Sequence, residues 1–303
     1  AKPAAAAMRA VVSAVAISAG AAAAYLLYRR RRRDPGRVGD YYKLTAQQIL
    51  DFHQLGLARL ESVLTDEEVR GIEEVYDKFM RREIHVPGRD FCDMSKTYDT
   101  PFEQWSIVNA MLPTKYHPPL AGNAFERVAE TIVAQLFPGK KMVKDYDQLL
   151  NKRPGKEDAV FAWHQDMAYW PPTKDTATVT LSLAIDDSTE QNGCLRFVPR
   201  SGLAKTLREH KPLGSSRDEA HAIQAVVGPE EEVRLAPVAR GSLTVHDEWV
   251  VHGSGGNGSK GPRRTYVIAF RAAETVAQER AAGFTHSHND KVNWDTFREH
   301  MST

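Results

Sequence analysis

Cysteine is scarce: two residues in 303, Cys92 and Cys194, cannot build a disulfide framework and suit a reducing compartment. No C-x-x-C pair occurs, which removes the usual thiolate zinc site. An excess of charge of either sign is also missing. Forty basic residues against 39 acidic ones leave a formal charge of +1, so no general affinity for nucleic acid is implied. Internal repeats are absent. What remains, 42% hydrophobic and 26% charged, is the composition of a globular protein long enough for one large core or two modest ones.

One long uncharged run stands out against this background. Residues 10–28, AVVSAVAISAGAAAAYLLY, carry no charge and are followed by five arginines, Arg29 to Arg33. At ~1.5 Å per residue the run is nearly ~30 Å long, enough to cross a bilayer. Arginines stay on the cytoplasmic side, so this reading is a membrane anchor with the remaining chain facing the cytosol. An organelle-targeting segment and a soluble cytoplasmic protein with an Ala-rich leader are the competing readings. DPGRVGD, residues 34–40, reads as a linker, giving an N-terminal segment 1–40 and a folded domain 41–303.

Two capping boxes open helices early in that domain: Thr45 with Gln48, and Thr65 with Glu68. The first predicts a helix over 45–57. From the second, Val69, Ile72, Tyr76 and Phe79 recur at helical spacing and predict a helix over 66–82. Phe125, Val128, Ile132 and Leu136 predict another over 122–136, stopped by Pro138 and Gly139. After residue 140 the period changes. KMVKDYDQLLNK, TATVTLSLAIDD, GCLRFVP, SLTVHDEWVVH and RRTYVIAFRA are β-rich runs separated by Gly, Pro, Asn and Asp. Helices followed by many short strands predict a helical layer on a β-sandwich or barrel.

The stretch GSGGNG, residues 253–258, matches a dinucleotide-binding fingerprint letter for letter. That fingerprint needs a helix beginning at the glycines, and Pro262 followed by a β-branched and aromatic run forbids one. The stretch is a loop.

Three H-x-[D/E] triplets occur, His164/Asp166, His246/Glu248 and His288/Asp290, where 11 histidines and 39 acids give about one or two by chance. A non-haem iron(II) oxygenase holds its metal with two histidines and one carboxylate, leaving the opposite face open. In extended chain, residues i and i+2 point to one side, so H-x-D supplies two ligands. The third must come from a distant strand, followed by a cation for the far carboxylate of 2-oxoglutarate. Downstream of His164/Asp166 stand His252 and, eleven residues later, Arg263. The other triplets lack such partners and read as solvated loop residues.

HQDMAYW, LAIDDSTEQNGCLRFVPRSG and HGSGGNGSKGPRR, in that order, resemble the phytanoyl-CoA dioxygenase family of Fe(II)/2-oxoglutarate oxygenases. The likeness extends over most of residues 43–272. It implies an α+β, mainly β fold: a double-stranded β-helix, or jelly roll, with supporting N-terminal helices. It implies iron ligands His164, Asp166 and His252, with Arg263 pairing bidentately with the 2-oxoglutarate C5 carboxylate. Arg264 then points to the opposite strand face. By position the family also suggests Ser254 and Asn151 or Lys152 near the cosubstrate, Gln148 at either the cosubstrate or the substrate pocket, and Trp170 as an aromatic lining. The activity implied is hydroxylation of a lipid-like, acyl-CoA or specialised-metabolite substrate with release of succinate and CO2. Related halogenases replace the carboxylate ligand by a small residue, so Asp166 favours hydroxylation or a related oxidation, with desaturation, epoxidation and ring formation as the other outcomes on the same centre. A zinc hydrolase with the same ligands, and a membrane-tethered binding protein without activity, are the alternatives. Trp163, Tyr169, Trp170 and Trp105 are candidates for a substrate pocket. The basic positions Arg200, Lys205, Arg208 and Lys211 are candidates for meeting an anionic substrate.

Overall fold

The computed structural model describes residues 36–286. Two antiparallel sheets form the centre. Fifteen strands run in chain order as β1 Arg37–Val38, β2 Tyr41–Tyr42, β3 Leu57–Leu60, β4 Phe91–Asp93, β5 Ile107–Met111, β6 Met142–Lys152, β7 Phe161–His164, β8 Thr178–Ala184, β9 Leu195–Phe197, β10 Lys211–Pro212, β11 Ile223–Gln224, β12 Arg234–Ala236, β13 Leu243–His246, β14 His252–Ser254 and β15 Arg263–Ala272. The helices are α1 Ala46–Leu55, α2 Asp66–Met80, α3 Pro113–Tyr116, α4 Ala124–Leu136 and α5 Ala273–Ala281. The larger sheet has the order β3-β13-β8-β15-β6-β5-β4, and the smaller one β12-β9-β14-β7. This is the jelly-roll core with a helical layer that the sequence implies.

Both capping boxes form. Thr45 and Thr65 accept from the backbone N–H groups of Gln48 and Glu68, whose side chains reach back to the cap N–H. The first helix is stopped by Gly56 at φ 85°, where a Cβ would sit 2.6 Å from the Val250 Cβ. On α2 the stripe Val69, Ile72, Tyr76 and Phe79 is buried against the large sheet. Each such side chain contributes roughly 1.5–3 kcal/mol on leaving water. On α4, Phe125, Val128, Ile132 and Leu136 do the same.

The order of helices first and strands afterwards is corrected by the structure. Strands β3, β4 and β5 precede residue 140 and complete both edges of the large sheet. Their sequences carry no alternation: IVNAM is buried at all five positions, so its polar Asn109 lies inside with the rest. The expected linker also differs, because residues 37–42 form a small hairpin tied to α2 by Arg37 and Glu68. Residues 10–28, the proposed anchor, lie outside the described residues. Among the described residues no helix is long and apolar enough to cross a membrane.

Candidate active site

Strand register creates the site. Strands β7 and β14 pair antiparallel with His164 directly opposite His252, and their ring centroids lie 4.2 Å apart. Gln165 is extended (φ −114°, ψ 135°), so His164 and Asp166 turn to one side before a 3-10 turn, Asp166–Tyr169, carries the chain away. Asp166 Oδ1 lies 3.5 Å from both His164 Nε2 and His252 Nε2. One ligand atom from each of the three residues falls within 4.8 Å of the others.

The other ring nitrogens fix how these histidines face. His164 Nδ1 lies 2.8 Å from the Ala162 carbonyl oxygen, and His252 Nδ1 3.0 Å from that of Val250. With Nδ1–H donated to the backbone, each Nε2 lone pair is left aimed at the common centre, the arrangement a divalent metal requires. Burial, together with the neighbouring His246 and His164, holds the His252 imidazole well below its ordinary pKa, so it stays neutral and able to ligate. Burial alone would raise the Asp166 carboxyl, but His252, His164 and His246 hold it well below the usual carboxylate range. Two imidazoles and a carboxylate, buried and convergent, fit iron(II).

Asp166 is also held from behind. Thr180 donates its hydroxyl to Asp166 Oδ2 at 3.0 Å, and His246 Nε2 lies 3.2 Å from the same oxygen. Strands β13 and β8 place His246 directly opposite Thr180. The reading of His246/Glu248 as solvated loop residues is therefore overturned: His246 is 3% exposed and Glu248 4%. Glu248 is not part of the His164–Asp166–His252 cluster, and burial pushes its carboxyl up to about 7. Gln165, the middle residue of the triplet, is fully buried and acts as a clasp. Its amide donates to the carbonyls of Thr206 (3.1 Å) and Trp249 (2.7 Å) and accepts from the Arg208 N–H (2.8 Å).

The three ligands line a cavity of about 930 Å³. Arg263 on β15 also lines it, is 6% exposed, and its Nε donates to Ser188 Oγ at 3.3 Å. No carboxylate among the described residues pairs with it. Its neighbour Arg264 lies on the other face, ion-paired with Glu73, with Asp77 (2.8 Å) and with Asp186 (2.7 Å). Ser254, buried on β14, lines the same cavity, as do Gln148 and Trp170. Gln148 donates to Asn109 Oδ1 at 2.7 Å.

Two residues expected near the cosubstrate belong elsewhere. Asn151 pairs with Arg264 across β6 and β15, which places it on the helix-facing side of the sheet, away from the cavity. Lys152 pairs with Arg263 and is on the inner face, but it does not line the cavity. Its Nζ donates to the carbonyls of Ala159, at 2.5 Å, and Gly255, clamping two loops together. Gly193 lets its own turn approach the Gly255 loop, since a Cβ there would clash with the Gly255 and Gly256 carbonyl oxygens.

The aromatic candidates divide as well. Tyr169 and Trp170 line the cavity. Trp163 instead stacks under Arg196 (4.4 Å), and Trp105 packs with Phe91 and Phe102 at 5.3 and 5.0 Å. None of Arg200, Lys205, Arg208 and Lys211 lines it, and Arg208 forks onto Glu231. Lining residues that sequence reasoning missed include Met111, Leu150 and Phe161 on strands, and Arg89, Arg217, His221, Phe284 and His286 outside them. His286 stacks on Tyr146 (4.6 Å, 29°) and meets Trp170 edge-on. They have no regular spacing to reveal them.

Comparison with known proteins agrees with this geometry. The model of the family "Phytanoyl-CoA dioxygenase (PhyH)" matches residues 52–265. A "probable alpha-ketoglutarate-dependent hypophosphite dioxygenase" from Stutzerimonas stutzeri is 28% identical over 240 residues, covering 76% of this chain and 79% of the relative. An ectoine dioxygenase from Streptomyces avermitilis is 28% identical over 264 residues, covering 78% and 81%. Among solved structures, EvdO2 from Micromonospora carbonacea var. aurantiaca, complexed with 2-oxoglutarate, superposes with a TM-score of 0.64 at 25% identity, covering 76% of this chain and 92% of that one.

Proposed function

The chain belongs to the phytanoyl-CoA dioxygenase family, and on that premise we propose that it hydroxylates a small organic molecule, releasing succinate and CO2. It is an iron(II)- and 2-oxoglutarate-dependent oxygenase. What the proposal adds is the assignment of roles and the outcome at the substrate. His164, Asp166 and His252 hold the iron, with Thr180 and His246 fixing the carboxylate. Arg263, aided by Ser254, pairs with the distal carboxylate of 2-oxoglutarate, while Gln148 and Trp170 shape the pocket. Iron supplies the activation of O2; the protein orients the reactants and keeps water out.

The observation that carries this reading is Arg263. A buried guanidinium with no carboxylate partner among the described residues is costly unless an anion completes it. It opens onto the same cavity as the His-Asp-His cluster, which lets a single anionic ligand reach both. The alternatives, a zinc hydrolase with the same ligands and a binding protein without activity, are not favoured, because the named relatives are dioxygenases and the similar solved structure holds 2-oxoglutarate. Of the substrates weighed, a lipid-like or acyl-CoA molecule suits the apolar cavity walls of Met94, Met111, Leu150 and Phe161. The test is succinate release from 2-oxoglutarate with iron(II) and air. Wild-type protein is expected to turn over and His164→Ala to be inactive; turnover that survives in His164→Ala removes the assignment.

A further inference from the structure

A second cavity, of about 480 Å³, shares no lining residue with the one that holds the iron cluster. It is set between the C-terminal end of α1, the segment 173–177 that leads into β8, and the loop 200–205. Two consecutive acids, Asp247 and Glu248, lie in its wall. Glu248 is 4% exposed; its Oε2 accepts from the Thr178 N–H at 3.2 Å, and the Thr176 side chain also bonds to it. Asp247 Oδ1 accepts from the N–H groups of Trp249 (2.9 Å) and Val250 (2.7 Å). No lysine or arginine among the described residues forms an ion pair with either acid. Burial pushes both carboxyls up, that of Glu248 to about 7. A buried carboxylate without a counter-cation stays costly until a proton or a cation completes it.

Cations are present, but on exposed residues. Arg200, Lys205 and Lys174 line the same cavity, and none makes an ion pair or a side-chain hydrogen bond among the described residues. A fourth, Lys140, is already paired with Asp175 at 2.5 Å. Lys205 lies near enough to pull the Glu248 carboxyl down, yet forms no ion pair with it, so both charges border the cavity without meeting. Arg200 and Lys205 stand at the two ends of their loop with φ 66° and 48°, a left-handed conformation that residues with a Cβ seldom adopt. The loop is pressed onto Trp249, since a Cβ on Gly202 would lie 2.9 Å from the Trp249 Cβ. Phe52, Phe137, Leu203 and Trp249 supply the apolar part of the lining. Two members of the basic run that does not reach the iron cavity therefore have a place here. The volume falls within the ~300–1,000 Å³ of small-molecule sites.

We propose that this cavity is a second ligand site, taking a small zwitterion whose ammonium group meets Glu248 and Asp247 and whose carboxylate or phosphate meets Lys205, Arg200 and Lys174. A short aliphatic body would rest on Phe52, Phe137 and Trp249. The site does not depend on the iron and 2-oxoglutarate reading, and failure of either leaves the other standing. The test uses the full chain with iron(II) and 2-oxoglutarate without oxygen, following tryptophan fluorescence as probes are added, because Trp249 lines this cavity and not the first. The probes are 4-aminobutyrate, 6-aminohexanoate and phosphoethanolamine, set against butylamine and butyrate, which carry one charge each. The best zwitterion is expected to saturate the signal at a concentration at least about 10-fold lower than either control. Its rank against the others separates a carboxylate from a phosphate ligand. Glu248→Gln and Lys205→Gln, made separately so that one misfolded variant does not decide the matter, should each weaken it about 10-fold. Lys211→Gln, an equal loss of charge at an exposed position outside the cavity, should leave it unchanged. Trp249→Phe should lose the signal while the zwitterion still raises the melting temperature. Equal potency of zwitterions and controls, no saturable signal, a full signal in Trp249→Phe, or an affinity untouched in both charge variants overturns the proposal.

Discussion

Among the described residues, two places gather side chains able to ligate a metal within 4.8 Å: His164, Asp166 and His252, and the trio Asp145, Glu279 and His286. By composition they are near equals, yet their surroundings are opposite. The second trio is already filled with cations. Arg271, 1% exposed, forks onto Glu279 at 2.5 and 2.7 Å and reaches Asp145 at 3.0 Å. Arg280 and His286 also meet Asp145, the latter at 2.5 Å. In the first cluster no lysine or arginine among the described residues pairs with Asp166, and the histidines spend Nδ1 on the backbone. A metal site is thus recognised by what its ligands lack as much as by which ligands they are. The second cluster has a structural task, fastening α5 and the segment up to His286 against Tyr146 and Trp170, whose ring lies 4.2 Å from Arg271.

The comparison can be broken from either side. His252→Ala should cost iron binding and succinate release more than about 100-fold, beyond the ~10–100-fold typical of residues that only orient a ligand; iron content and turnover measure it. Arg271→Met should leave the buried carboxylates of Asp145 and Glu279 without their main partner and destabilise the fold by ~3–5 kcal/mol. Denaturant unfolding reads that loss, while the folded protein should still bind iron. Arg263→Ala should raise the KM for 2-oxoglutarate by ~30-fold or more, the equivalent of ~2–5 kcal/mol for stranding one member of a buried charge pair. Thr180→Val removes one hydrogen bond to Asp166 and should weaken iron affinity by ~10–100-fold with little change in stability.

The smallest effect concerns acid. Burial alone would raise the Asp145 carboxyl, but His286, Arg271 and Arg280 hold it well below the usual range. A depressed folded pKa means stability that is present above the unfolded value of ~3.9 and lost as pH falls below it. Melting temperature should therefore decline below about pH 4, and Asp145→Asn should flatten that decline while lowering stability at neutral pH.

Legibility followed the period of the structure. Strand alternation made Arg263 and Arg264 separable by parity, and both lie where that parity puts them: one on the cavity, the other among Glu73, Asp77 and Asp186. The same parity was not available for Asn151 and Lys152, because it needs the pairing of β6 with β15, which no local pattern states. His246 was hidden for a related reason. Its burial beside Asp166 depends on β13 lying against β8, a contact between residues more than sixty positions apart. The capped helices were readable because caps are local. The early strands were not, since IVNAM is buried at every position and shows no period. Arg89, Arg217 and His286 lie outside the strands and longer helices, where position is set by tertiary fastening alone.

The central claim is that His164, Asp166 and His252 hold an iron to which 2-oxoglutarate, anchored by Arg263, binds. The most direct measurement is an anaerobic titration of 2-oxoglutarate into iron(II)-loaded protein, following the visible charge-transfer band. Wild-type protein should saturate at one equivalent, Arg263→Ala should develop the band only at much higher 2-oxoglutarate, and His252→Ala should show none. A band of full strength in His252→Ala, or no band in the wild type, would contradict the account.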